Sequence, residues 1–132
     1  MSSSNPPDDD RLRRPPSERF AGEIHVYSLR DALAKLRAED HPARDGHRQI
    51  TLLHRPPVTQ VLFSFAAGGH LDRHSARGLV TIHAIEGRLR VAADGADHEL
   101  EAGKMIVLDA DVPHDVRAVE ASAMLLTVHM YA

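Results

Sequence analysis

The chain has 132 residues, 42% of them hydrophobic, which suits one domain with a modest core. Its net charge is −3, and the 16 basic residues are scattered; Arg11, Arg13 and Arg14 are offset by Asp8, Asp9 and Asp10, so no basic stripe marks a nucleic-acid partner. Cysteine is absent, which excludes disulfide scaffolds, thiolate metal sites and cysteine nucleophiles.

Residues 1–20 are Ser, Pro, Asp and Arg with almost no apolar content, so a disordered tail is expected there. No signal-peptide core and no run of about 18 apolar residues occurs, which predicts a cytoplasmic protein without a membrane partner. Residues 21–47 read as an N-terminal extension carrying a helix near 28–38. Ser28 is a good N-cap with Asp31 three positions on, and Leu29, Ala32, Leu33 and Leu36 form one apolar stripe. That stripe packs either on the outside of the main domain or across a dimer contact.

From residue 48 the apolar period changes to two. Strands are expected at 48–54, 58–66, 79–85, 88–93, 97–100, 104–108, 114–119 and 123–130. Asp94-Gly95 between two of them is the strongest hairpin signal. The stretch 68–74 reads as a glycine-led loop. Eight short antiparallel strands with no helices between them indicate a sandwich, barrel or jelly roll.

Ten histidines are many for this length. His25, His41, His47, His54 and His98 are most simply surface residues. If Val80 points inward, alternation turns Ile82 inward too and His83 outward. His129 lies on the last strand, with no fixed facing.

Two spacings stand out between Gly68 and His114. Gly68 is followed by five residues and His74, with Gly87 beyond; Gly103 is followed later by His114. These resemble the two motifs of the cupin superfamily, G-x5-H-x-H-x3/4-E-x6-G and G-x5-P-x-G-x2-H-x3-N. The resemblance covers roughly residues 48–130 and implies an all-β, cupin-type antiparallel barrel (a double-stranded β-helix or jelly roll) within a domain at 48–132. It also implies a homodimer formed through sheet edges, the helix or the strand after it. His74 and His114 are then expected on strands facing each other across the barrel mouth.

The departures from the pattern bear on chemistry. Ala76 stands at the second motif histidine and Val80 at the glutamate. Asp109 and Asp111 replace the proline and glycine of the second motif, and Ala118 replaces its asparagine. Of four usual ligands to a divalent metal (Zn, Fe, Mn or Ni), only His74 and His114 remain, whereas a catalytic metal normally takes three. His70, in the 68–74 loop beside Asp72, is the candidate third ligand. Without a metal, the two histidines are polar groups in an apolar cavity lined by Val80, Ile82, Leu108 and Val116, where burial would keep both neutral. The expected function is small-molecule binding at that pocket; the alternative is a metal-dependent oxygenase, isomerase or lyase.

Overall fold

A computed structural model describes residues 24–40 and 43–131; the expected tail at 1–20 and His41 lie outside these residues. Helix α1 spans Leu29–Arg37. It is followed by nine strands: β1 His47–Arg55, β2 Val58–Phe65, β3 His70–His74, β4 Gly78–Glu86, β5 Arg88–Ala93, β6 Ala96–Glu101, β7 Met105–Leu108, β8 His114–Ala118 and β9 Ser122–Met130. Every strand pairing is antiparallel. The strands form a five-stranded sheet, β1-β2-β9-β4-β7, and a four-stranded sheet, β3-β8-β5-β6. No helix among the described residues is long and apolar enough to cross a membrane.

The two sheets close on one core. Val61, Phe63 and Phe65 of β2, Val80, Ile82 and Ala84 of β4, and Met124 of β9 meet Leu89 and Val91 of β5 and Val116 and Ala118 of β8. A second cluster lies on the outer side of the five-stranded sheet. Ala32, Leu33 and Leu36 of α1 cover Ile50, Leu52, Leu62 and Ala123 there. Alternation along β2 serves both clusters, since Leu62 faces the helix while its neighbours Val61 and Phe63 face the barrel interior. The helical stripe is thus taken up within the chain. Ser28 caps α1 by accepting from the Asp31 N–H at 3.1 Å, and Arg37 ties its other end to Ser64 (3.1 Å) and Glu86 (2.7 Å).

The motif spacings coincide with special backbone. Gly87, between β4 and β5, has φ +77°, and a Cβ there would lie 2.3 Å from the Ala121 carbonyl oxygen. Only glycine combines that dihedral with so close an approach. Asp111, at the position of a motif glycine, keeps the left-handed conformation (φ +65°), which Asp tolerates better than most residues. In the β5–β6 hairpin both Asp94 (φ 52°) and Gly95 (φ 75°) are left-handed, as a type I′ turn requires.

The ninth strand, β3, corrects the loop expected at 68–74. Its sequence, His-Leu-Asp-Arg-His, has no apolar alternation, because a bulge interrupts it: Leu71 pairs with Val116 and His74 with His114, so three steps on β3 span two on β8.

Candidate functional site

The bulge determines which face each β3 side chain takes. Leu71 lies opposite buried Val116 and packs on the core. The extra residue brings His74, three positions on, to the same inner face opposite His114. His70 instead falls opposite Arg117 on the outer face. Without the bulge, His70 and His74, four apart, would share a face.

His74 and His114 are therefore cross-strand neighbours within the four-stranded sheet, not residues facing one another across the barrel mouth as the resemblance implied. Their rings meet edge to face with centroids 4.3 Å apart. Each ring is oriented by a backbone carbonyl two residues upstream. His74 Nδ1 lies 2.7 Å from the Asp72 oxygen, at the bulge, and His114 Nδ1 lies 3.0 Å from the Val112 oxygen, in the loop before β8. A carbonyl only accepts, so each Nδ1 carries the proton, and a neutral ring then presents Nε2 as an acceptor.

The two rings differ in burial. The sequence reading buried both, but His74 is exposed while His114 is only 1% exposed. His114 Nε2 is enclosed and has no hydrogen-bond partner among the described residues. Burial pushes the His114 pKa below histidine's ordinary 6.5. The Val112 hydrogen bond acts the other way, neighbouring His74 lowers it further, and Asp115 raises it.

The expected cavity walls are core rather than lining. Val80, Ile82, Leu108 and Val116 are 2%, 0%, 6% and 1% exposed and pack in the barrel core. Val80 and Leu108 are direct cross-strand partners. Side chains fill the barrel, as in other small barrels.

The remaining sequence candidates fall elsewhere. His83 and His129 are exposed, as are His25, His54 and His98. His47, expected on the surface, is buried. It packs on Phe63 and Phe65 with centroids 5.6 Å from each, and its Nδ1 donates to the His70 carbonyl at 3.0 Å. It thus fixes the start of β3 from behind. The period-two pattern gives no signal for this, since it sets His47 on the face of polar Gln49 and Thr51, opposite Ile50 and Leu52.

At the motif positions the residues present do not fit a resident divalent metal, whereas Asp45, His70 and Asp72 form a separate group whose ligand atoms lie within 4.8 Å of one another. Two imidazoles remain, Ala76 and buried Val80 occupy the other ligand positions, and the candidate third ligand His70 faces outward. His70 Nε2 lies 3.4 Å from Asp72 Oδ1 and groups with Asp45 and Asp72 on the outer face. Among the described residues no third His, Asp or Glu gathers with His74 and His114.

Comparison with known proteins places this architecture. The cupin domain family model matches residues 61–130. A conserved protein of unknown function from Streptococcus pyogenes is 27% identical, with a TM-score of 0.68 over 84% of this chain and 91% of that one. A cupin superfamily protein from Desulfitobacterium hafniense (20% identity, TM-score 0.64, 69% and 84% covered) shares the fold. So does KdgF from Halomonas sp. (20%, 0.60, 69% and 86%). No curated protein matches the chain. With the family model spanning more than half of the sequence on a barrel of two antiparallel sheets, the chain belongs to the cupin family.

Proposed function

We propose that this cupin binds a small molecule at the His74–His114 pair and does so without a divalent metal of its own. One observation carries the reading: His114 Nε2 is enclosed, held by its Nδ1 anchor, and unmatched by any group of the described residues. A buried acceptor left without a donor costs about 1–3 kcal/mol, so a site that retains one is suited to a visitor that supplies the donor. The donor set argues against the metal-enzyme alternative, because two imidazoles fall short of the three ligands a catalytic metal takes.

Metal analysis tests this directly. Protein purified without a histidine tag is expected to carry well below one equivalent of Zn, Fe, Mn or Ni. Added metal should raise its melting temperature no more than it raises that of a His114→Leu variant. A full equivalent of one metal, lost in His114→Leu, would overturn the reading.

A further inference from the structure

We infer that the ligand of the His74–His114 pair is an uncharged molecule that donates a hydrogen bond from a small hydroxyl or N–H end group, and that carboxylate-bearing acids are excluded. The inference rests on the binding site proposed above and assigns its chemical class.

Three observations lead there. First, both rings offer the same kind of atom. With each Nδ1 proton engaged by a carbonyl, the free nitrogen on each ring is an acceptor, and the rings are close enough for one bound group to touch both. A carboxylate or phosphate brings only acceptors and would face two more. Second, the charged neighbour that acts on His114 is an acid, Asp115, beside the second imidazole, His74. An anion seated on His114 would shed its hydration and meet that carboxylate. Third, His114 is hemmed in by apolar side chains. Ala76 is half-buried against the core, and Val80 and Val116 are fully buried. With Nε2 so enclosed, a compact end group is the kind of donor that fits it.

Three probes of matched shape test the inference on the full chain: phenol, which donates; anisole, which does not; and benzoate, an anion. The readout is the imidazole nitrogen signals of His74 and His114, assigned with His74→Ala and His114→Leu and followed by NMR during titration. Phenol is expected to shift Nε2 of both residues and to bind about tenfold more tightly than anisole or benzoate, the worth of one hydrogen bond. If benzoate or anisole shifts the two rings as strongly as phenol, the ligand class is wrong while the site stands. If no probe moves either ring although the protein stays folded, the site itself is wrong and the inference falls with it.

Discussion

The two sheets have unlike surroundings. The five-stranded sheet is covered by the barrel interior on one face and, over β1, β2 and the start of β9, by α1 on the other, while Met105 and Val107 of β7 are exposed. Among the described residues the four-stranded sheet is covered on one side only, and its outer face carries Arg88, Arg90, Glu99 and Glu101. The bulge, the histidine pair and the unpartnered Nε2 all belong to the second sheet. A doubly covered sheet tolerates little change, because each alternate residue is core to something. Register irregularities occur in both sheets, but only the singly covered one leaves room for a polar group whose partner is not part of the protein. The proposed site therefore lies on the sheet without the helix.

Substitutions can break or sharpen that contrast. Leu62, fully buried under α1, should be the most sensitive of those considered. Leu62→Ala is expected to lower unfolding stability by about 2–5 kcal/mol in urea denaturation. A loss below about 1 kcal/mol would mean that α1 does not form a genuine second core. Gly87 joins the two sheets. Gly87→Ala forces a Cβ against the Ala121 carbonyl and the Ser122 side chain in a left-handed conformation, for an expected loss of about 2–4 kcal/mol. Wild-type-like melting would show that the β4–β5 junction is plastic.

On the second sheet the effects shrink. His114→Leu exchanges an enclosed imidazole with one unmatched nitrogen for an apolar side chain of similar size. Stability should change by no more than about 1 kcal/mol in either direction while any ligand response is lost. A loss of several kcal/mol would make His114 a structural residue. Its titration supplies a related check. Because burial lowers its pKa in the folded state, the unfolded chain takes up the proton first as pH falls. Its effect on stability should therefore be constant above about pH 6.5 and become increasingly unfavourable below it. The stability difference between wild type and His114→Leu, measured from pH 8 to pH 5, should move in the variant's favour; a difference independent of pH would contradict the burial of His114. The smallest effect is expected at Arg90. Its partner Glu99 is 3.8 Å away on the exposed face, and Arg90→Ala should cost less than about 0.5 kcal/mol.

Regular elements were legible in the sequence because local rules and packing agree there. Ser28 followed by the Leu29–Leu36 stripe announces α1, and Asp94-Gly95 announces its hairpin. The spacings around Gly68, Gly87 and Gly103 pointed to the family because all three glycines are left-handed, a backbone demand that survives the loss of neighbouring side chains. What stayed hidden depends on irregularity or on long-range contact. A bulge erases the period-two signature of β3, so its strand and the outward facing of His70 could not be read. The burial of His47 is created by Phe63 and Phe65 on another strand. The edge-to-face meeting of His74 and His114 arises from strand register, which motif spacing does not encode.

The β3 bulge has one more consequence, for changes in chain length. Deleting Arg73 would straighten the strand and still leave a histidine opposite His114, so a comparison of residue identities would count the pair as intact. Yet bulged residues stand outside the regular ladder, and one of them provides the carbonyl that holds His74 Nδ1. A shortened strand would return that carbonyl to its neighbour, leaving the imidazole free to turn over and to exchange its donor and acceptor nitrogens. In this barrel a single-residue deletion would alter the site's hydrogen-bonding polarity without altering which side chains line it.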